Sequence, residues 1–304
     1  AADNQCGYID CAAKSISVAR CIKQDADLRL IRTELQVWSQ LNHTNCLKLM
    51  GVSAGLEQFL LLSEFMDGGT LFHLHQRHRS QRPLRAPPLR QTILANLQQI
   101  AGGMDYLHAQ SIIHRDLKSA NILLNREHDR LVISDFGLAR FCSIEDHMTA
   151  ETGSYRWMAP EVMRHEPYAK PCDVYSFALV AWEMLTFDVP FAMASPVQAA
   201  FAVADRAERP VIPSHCPTDI KMLIQQCWSQ DASHRPTFEQ VCETLQQLHL
   251  KPSGCSSLCG AEATADPGAD AGPLAEATAG AMEGAQALTQ AQTQTQTQTQ
   301  TQTQ

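Results

Sequence analysis

Hydrophobic positions along the chain follow two patterns that predict different secondary structures. Residues 59–63 form a short apolar run of the length of one strand. Over residues 89–108, apolar side chains recur at every third or fourth position, which predicts a helix with one buried face. Residues 174–185 are nearly all apolar, as expected of a helix buried on most sides. We therefore expect a small strand-rich region followed by a larger helical region.

Polar and low-complexity stretches indicate the expected loops and the expected end of the folded domain. The Arg-, His- and Pro-rich residues 76–88 predict a solvated loop, and Pro87-Pro88 marks the start of the next helix. After residue 251 the chain consists mainly of Ala, Gly, Ser, Thr and Gln and ends in Thr-Gln repeats. Because few bulky apolar side chains are present to offset the entropy of ordering, residues 252–304 are predicted to be a disordered tail.

Composition narrows the class of protein. Hydrophobic residues make up 44% of the chain and charged residues 18%, which is typical of a globular protein. The net charge of −8 predicts no nucleic acid partner. The 11 cysteines lack a metal-binding spacing with histidine, which favours reduced thiols. No apolar run is long enough to predict a transmembrane segment and no signal peptide pattern is present, so we expect a cytoplasmic protein.

Three motifs carry the chemistry. Residues 114–121 read His-Arg-Asp-Leu-Lys-Ser-Ala-Asn, residues 135–137 read Asp-Phe-Gly, and residues 159–161 read Ala-Pro-Glu. In this order and spacing they resemble the protein kinase superfamily, over roughly residues 7–250. The resemblance implies an α+β, bilobal protein kinase fold with ATP bound between the lobes.

The same resemblance implies how the domain is divided. The kinase domain is expected over residues 1–251. Its small lobe, about residues 1–66, would hold antiparallel strands and one helix. Its larger and mainly α-helical lobe would comprise about residues 67–251.

Phosphoryl transfer depends mainly on positioning and on charge around the phosphates. Asp116 would accept or orient the proton of the substrate hydroxyl. Asn121 and Asp135 offer the oxygen ligands that Mg²⁺ prefers. Lys118 would place a positive charge near the transferred phosphate, and in the family a lysine here favours serine/threonine kinases. ATP, Mg²⁺ and a protein substrate are therefore the expected partners, while the resemblance specifies neither the substrate nor the oligomeric state.

The lysine that holds the ATP phosphates has two candidate positions. Residues 11–14, Cys-Ala-Ala-Lys, place Ala12 and Lys14 on the same face of a strand, as in the family pattern in which the alanine lies against the adenine. Residues 17–20 offer Arg20 instead, which keeps the charge but is larger and forked. We favour Lys14 and keep Arg20 as the alternative.

Two further parts of the small lobe are expected on the same grounds. Glu34 is the best ion-pair partner for the lysine, with a surface helix charge as its alternative reading. The glycine-rich loop should lie upstream of the lysine, yet only thirteen residues precede Lys14, and they contain the single glycine Gly7. We expect the chain to be N-terminally truncated. If Arg20 were the lysine equivalent, a pseudokinase that acts as a binding or scaffolding module would be favoured.

The adenine site is expected around the end of the apolar strand. Ser63 resembles a small gatekeeper, and Glu64 and Met66 follow it in the hinge, where backbone groups bond the adenine. Leu123 resembles the residue that closes the other face of the ring. Residues 67–69, Asp-Gly-Gly, predict the turn into the large lobe.

The segment between Asp135 and Glu161 resembles an activation loop. Its phosphorylation candidates are Ser143, Thr149 and Thr152, and a phosphate there could pair with Arg115.

Three positions are expected to have structural roles. Glu161 and Arg235 resemble a buried ion pair that ties the activation segment to the large lobe. Asp173 resembles the residue that braces the catalytic loop from the helix beneath.

Several motifs indicate a narrower group. They resemble the tyrosine-kinase-like group, which includes Raf-like and mixed-lineage kinases, and they lie at residues 49–51, 153–161, 173–177, 227–228 and 234–237. The expected function is that of a serine/threonine protein kinase. The alternatives are a pseudokinase or scaffold and a dual-specificity or tyrosine kinase.

Overall fold

The computed structural model describes residues 9–17, 35–55, 58–81, 90–136, 140–141 and 154–250. The predicted tail therefore lies outside the described residues. The first part of the chain forms an antiparallel sheet of β1 (Cys11–Ser17), β2 (Leu49–Ala54) and β3 (Gln58–Glu64) in the order β1-β3-β2. The central β3 confirms the strand predicted over residues 59–63, and its Leu61 is buried.

Helices dominate the rest of the described chain. They are α1 (Leu71–Ser80), α2 (Arg90–Ala109), α3 (Pro160–Met163), α4 (Pro171–Thr186), α5 (Pro196–Ala204), α6 (Thr218–Cys227) and α7 (Phe238–Leu250). Both predicted helices are confirmed, because α2 covers nearly all of residues 89–108 and α4 contains residues 174–185. No helix in the described ranges is both long and apolar enough to cross a bilayer.

The loop predicted over residues 76–88 was wrong for its first five residues. Residues 76–80 belong to α1, while residues 82–89 lie outside the described ranges. Thr70 caps this helix, because its hydroxyl accepts a hydrogen bond from the backbone N–H of His73 at 3.1 Å. The helix has a polar composition and buries only Leu71 and His75, so its apolar period is too short to be recognised in the sequence.

Two small sheets frame the central loop of the helical region. Strands β4 (Gly69–Thr70), β6 (Ile122–Leu124) and β7 (Leu131–Ile133) form one antiparallel sheet, and β5 (Ile112–Ile113) pairs with β8 (Arg140–Phe141) in the other. Residues 114–121 therefore lie between β5 and β6, and Asp135 follows β7 closely.

The turn before β4 requires glycine at two successive positions. A Cβ atom on Gly68 would lie 2.1 Å from the backbone oxygen of Asn125, and Gly69 has a φ of +77°. This close approach lets the chain enter α1 beside β6. The predicted turn at residues 67–69 is thus explained by backbone contact as well as by composition.

Helix α4 lies in the core, and every residue of it from Cys172 to Thr186 is buried. Because packing on all sides fixes the position of this helix, polar side chains on it can hold the surrounding loops in fixed positions by hydrogen bonds. The predicted mixed α+β class is confirmed.

Candidate active site

The loop of residues 114–121 holds three polar side chains against one another. Lys118 Nζ donates to Asp116 Oδ2 at 2.6 Å. Asn121 Nδ2 donates to Asp116 Oδ2 at 2.9 Å and to the Asp116 backbone oxygen at 2.8 Å. The other carboxylate oxygen, Asp116 Oδ1, is buried and has no hydrogen-bond partner among the described residues. The loop therefore holds one carboxylate oxygen whose capacity to accept a hydrogen bond is unused within the described chain.

Lys118 also connects this loop to a second segment. Its Nζ donates to Ser154 Oγ at 2.8 Å, across 36 residues of chain. Ser154 comes directly before the short 3₁₀ turn Tyr155–Trp157. A single ammonium group thus bridges the Asp116 carboxylate and the start of the segment that leads into α3.

The backbone of the loop is braced by α4. Asp173 accepts hydrogen bonds from the backbone N–H groups of His114 and Arg115, each at 2.8 Å, and its Oδ2 lies 2.9 Å from His108 Nε2. Burial would by itself raise the pKa of Asp173, but the hydrogen bonds and the nearby His108 and His114 outweigh it and lower that pKa below its ordinary value. The carboxylate is therefore ionised where it holds the loop.

Two residues of the site have left-handed backbone conformations. The φ angle is +71° at Arg115 and +63° at Asp135. A side chain other than glycine in this region is uncommon and persists only where the surroundings fix it. For Arg115 the fixing contact is the hydrogen bond from its N–H to Asp173.

Asp135 is tied to the loop through its neighbour. The backbone N–H and the hydroxyl of Ser134 both donate to the backbone oxygen of Asn121, at 2.9 and 3.0 Å. The Asp135 side chain is half exposed, and its Oδ1 lies 3.8 Å from Lys14 Nζ. The structure thus brings together two residues predicted on different lobes.

Lys14 and Ala12 both lie in β1. Their partners on the neighbouring strand β3 are Leu61 for Lys14 and Ser63 for Ala12. The other candidate, Arg20, and the predicted partner Glu34 both lie outside the described residues. Among the two candidate positions, only that of Lys14 can therefore be compared with the geometry of the site.

Phe136 connects the loop to the helical residues 35–38. Its ring is buried, with its centroid 5.7 Å from that of His114 and 6.2 Å from that of Trp38. Trp38 Nε1 donates to the backbone oxygen of Leu47 at 2.6 Å. These aromatic contacts join residues 35–38 to the loop of residues 114–121 through the core rather than through the surface.

The predicted adenine site lies where β3 ends. Ser63 and Met66 are buried, and Leu123 is partly buried against the core. The Glu64 side chain instead contacts Arg130, at 2.7 and 3.2 Å, and accepts from the backbone N–H of Lys48 at 2.9 Å. Any contact from Glu64 to a nucleotide base would consequently have to come from its backbone.

The comparisons with known proteins agree with this geometry. A family model described as protein tyrosine and serine/threonine kinase matches residues 3–245. The chain belongs to the protein kinase family.

Relatives of this kinase domain carry serine/threonine kinase names. The serine/threonine-protein kinase STY17 of Arabidopsis thaliana is 38% identical over 73% of this chain and 38% of its own length. The serine/threonine/tyrosine-protein kinase HT1 of the same organism is 37% identical over 71% of this chain and 54% of its own length. Mitogen-activated protein kinase kinase kinase 12 of Rattus norvegicus is 34% identical over 72% of this chain and 24% of its own length. The chain thus spans about a quarter to a half of these relatives, and the predicted resemblance to the tyrosine-kinase-like group is confirmed.

At the far end of the segment that contains Ser154, the kinase domain holds a buried ion pair. Arg235 donates to both carboxylate oxygens of Glu161, at 2.7 and 2.8 Å, and also to the backbone oxygen of Ser229 at 2.9 Å. The structure thus joins Glu161 to Arg235. The activation-loop candidates Ser143, Thr149 and Thr152 lie outside the described residues.

Sequence reasoning missed a second buried carboxyl group on α4. Glu183 accepts from Ser119 Oγ at 2.7 Å and from Trp157 Nε1 at 2.9 Å. Burial raises the pKa of Glu183 to about 8, against the opposing effect of these hydrogen bonds. A lone glutamate inside the apolar run 174–185 was the available signal, because a buried acid requires partners.

Arg156 was also missed. Its guanidinium donates to the backbone oxygens of Pro190, Phe191 and Ala194, the first at 3.0 Å and the last at 2.6 Å. It therefore fixes the stretch before α5 to the turn that contains Trp157. No pattern in the sequence indicates such a contact, because every residue has a backbone oxygen and residue types do not show which ones accept a hydrogen bond.

Proposed function

We propose that this chain is the catalytic domain of a serine/threonine protein kinase, which transfers the γ-phosphate of ATP to a protein hydroxyl with the help of Mg²⁺. The observation that carries the proposal is Asp116 Oδ1, a buried acceptor without a partner, beside a lysine that bridges to Ser154. Leaving a buried carboxylate oxygen unpaired costs free energy, and a binding site is a common reason for it. We assign the kinase domain to residues 1–251, with lobes of about 1–66 and 67–251.

Asp116 would receive the proton of the attacking hydroxyl through Oδ1. Its Oδ2 is already held by Lys118 and Asn121, so the carboxylate has one fixed orientation. Lys118 would face the growing charge on the transferred phosphoryl group, because its ammonium lies between the base and Ser154. The hydroxyl would therefore be aligned before transfer rather than during it.

Asn121 and Asp135 would hold the magnesium ion. The fit is supported by the donor set, since both hydrogen bonds of the Asn121 amide use Nδ2 and so leave its oxygen available, while the Asp135 carboxylate is half exposed. A bound Mg²⁺ would supply positive charge to the phosphates. The left-handed backbone at Asp135 and the link from Ser134 to Asn121 keep the two ligand residues in register.

Lys14 would bind the α- and β-phosphates. Two observations favour it over Arg20: its position in β1 directly opposite the buried Leu61, and its approach to Asp135. The adenine would lie against Ala12 and Leu123, with the backbone of Glu64 and Met66 as hydrogen-bonding groups and Ser63 behind them. Glu34 remains the proposed partner of Lys14.

A phosphate on Ser143, Thr149 or Thr152 would be received by Arg115. The Arg115 guanidinium lies over the ring of Tyr168 at 5.1 Å, and its Nε is buried without a hydrogen-bond partner in the described chain. A buried guanidinium donor favours an anionic acceptor.

Serine and threonine are the proposed acceptors because Lys118 occupies the position beside the base and because the relatives carry that name. One relative is named a serine/threonine/tyrosine kinase, which favours dual specificity as the second candidate. Analysis of the phosphorylated amino acid separates the two.

The test is Mg²⁺-dependent transfer of labelled phosphate from ATP to a generic basic protein by the full-length protein. Asp116→Asn keeps the size of the side chain but removes the base, and we expect it to lower kcat by roughly a hundredfold or more with little change in the KM for ATP. Asp205→Asn, at the exposed end of α5, is the matched control and should retain full activity. Absence of transfer by the wild-type protein, after treatment with activating kinases and without an ATP-dependent thermal shift, would favour the pseudokinase alternative.

A further inference from the structure

Helix α4 contacts both segments that meet around Lys118. Glu183 Oε1 accepts a hydrogen bond from Ser119 Oγ at 2.7 Å, and Glu183 Oε2 accepts one from Trp157 Nε1 at 2.9 Å. All three side chains are buried: the exposed fraction is 0% for Ser119, 1% for Glu183 and 9% for Trp157. One side chain thus joins two loops that are distant in sequence.

The two loops carry the groups proposed for transfer. Ser119 is the residue after Lys118 and lies between it and Asn121, while Trp157 closes the turn that begins after Ser154. Lys118 joins the same two loops on the side of the reaction, through Asp116 and Ser154. Glu183 is therefore a second bridge, in the core and beneath the first.

We propose that Glu183 is a positioning residue, which sets the distance between the catalytic loop and the segment that receives the protein substrate by holding Ser119 and Trp157 at once. This proposal rests on the kinase function proposed above. It assigns Glu183 no contact with ATP or with the substrate, so its effect should fall on the rate of transfer rather than on ATP binding.

The carboxyl group can perform this role as a neutral acid. Its pKa is raised to about 8 by burial, and within the described chain the opposing effects come from Ser119 and Trp157, with no charged side chain among them. The charged residues next to its two partners are engaged elsewhere: Lys118 with Asp116, and Arg156 with backbone oxygens near α5. In the neutral form the hydrogen bond between Ser119 Oγ and Glu183 Oε1 would run in the opposite direction, with the Glu183 O–H as the donor, while Oε2 still accepts from Trp157 Nε1.

The decisive comparison is Glu183→Gln against Glu183→Ala in the full-length protein. Glutamine keeps one donor and one acceptor in the same shape, so kcat at neutral pH should stay within about twofold of wild type. Alanine removes both contacts, and kcat should fall roughly tenfold to a hundredfold while the KM for ATP is unchanged. Trp157→Phe removes one of the two hydrogen bonds to Glu183, the one from the indole N–H, and should give an intermediate loss of kcat. Glu243→Gln, on the exposed face of α7, is the matched control.

The pH profile and hydrogen exchange supply readouts that a purely structural role would not produce. Ionisation would place a negative charge between the two loops, so wild-type kcat should change as the pH rises through about 8, and Glu183→Gln, which cannot ionise, should lack that change. In Glu183→Ala, amide exchange should rise in residues 114–124 and 154–163 and not in α2 or α7. If Glu183→Ala does not fold, the pH profile of Glu183→Gln and the exchange of Trp157→Phe test the same link.

Two results would overturn the proposal: an unchanged kcat in a folded Glu183→Ala, or a Glu183→Gln variant as impaired as Glu183→Ala. Failure of the kinase function itself would look different. The wild-type protein would then transfer no phosphate, while the exchange pattern would still report whether Glu183 joins the two segments.

Discussion

The two ends of α4 each carry a buried carboxyl group, and these two groups behave in opposite ways. Near the first end, Asp173 accepts two backbone N–H groups and lies against His108, and its pKa is lowered. Near the C-terminal end, Glu183 accepts hydrogen bonds from a hydroxyl and an indole N–H, and burial raises its pKa to about 8. Burial is complete in both, so the difference comes from the partners: backbone amides and histidine stabilise the charge, whereas Ser119 and Trp157 do not suffice.

The comparison separates two ways to hold a loop. Asp173 fixes the backbone of His114 and Arg115 as an anion, including the left-handed conformation at Arg115. Glu183 fixes side chains and can do so without charge. A change at Asp173 should therefore affect stability and the conformation of the loop, while a change at Glu183 should affect how two loops are spaced.

The largest effect is expected for Asp173→Ala. The change leaves two backbone N–H groups, one buried and one partly buried, without an acceptor and removes the support of a strained residue, so the free energy of unfolding should fall by about 3–5 kcal/mol and phosphate transfer should be lost. Urea unfolding followed by tryptophan fluorescence measures the first, and the labelled-ATP assay the second.

Asp205→Ala, which removes an exposed carboxylate at the end of α5, is the matched control for this experiment. Asp173→Asn retains one acceptor and should lose less stability than Asp173→Ala. A stability of Asp173→Ala within about 1 kcal/mol of the control would show that the carboxylate does not hold the loop.

A second prediction sharpens the contrast through pH. Glu183 has a pKa of about 8 in the folded protein and an ordinary value of 4.5, so between these values the folded state keeps a proton that the unfolded state releases. Stability from this group is therefore fully present below pH 4.5 and is lost as the pH rises through about 8. From pH 5 to pH 7, the unfolding free energy of wild type should fall by roughly 2 kcal/mol relative to Glu183→Gln.

Asp173 should have the opposite slope. Its folded pKa lies below the ordinary value of 3.8, so its contribution is present above pH 3.8 and is lost as the pH falls through the folded value. Urea unfolding of wild type, Glu183→Gln and Asp173→Asn at a series of pH values measures the two slopes. Parallel curves for wild type and Glu183→Gln between pH 5 and pH 7 would mean that Glu183 is ionised in the folded protein.

Sequence patterns predicted the elements whose contacts repeat along the chain. Strand β3, helix α2 and helix α4 were predicted from apolar spacing, and the family was predicted from three motifs. Residues 76–80 were wrongly predicted as a loop, because arginine and histidine on α1 hide a helix that the Thr70 cap and two buried side chains stabilise.

The part of the site that sequence reasoning missed depends on contacts between distant residues. The partners of Glu183 lie 64 and 26 residues away from it, and within the described ranges the Arg156 guanidinium donates to backbone oxygens. Local periodicity carries no information about such pairs. The sequence could have shown that a glutamate within an apolar helix needs hydrogen-bond partners. It could not have shown which residues those partners are.

The smallest effect is expected for Ser176→Ala, which lies between the two carboxyl groups on α4, one turn after Asp173. Ser176 Oγ donates to the backbone oxygen of Trp157 at 2.8 Å and is also 3.2 Å from that of Cys172. Loss of the hydroxyl should lower the unfolding free energy by about 1 kcal/mol and leave kcat within about twofold, since Glu183 still holds the Trp157 indole. Thr244→Val, which removes a hydroxyl that donates to the backbone oxygen of Gln240 within the surface helix α7, is the matched control. A kcat as low as that of Glu183→Ala would show that the Trp157 backbone, rather than the bridge from Glu183 to its side chain, sets the spacing of the two loops.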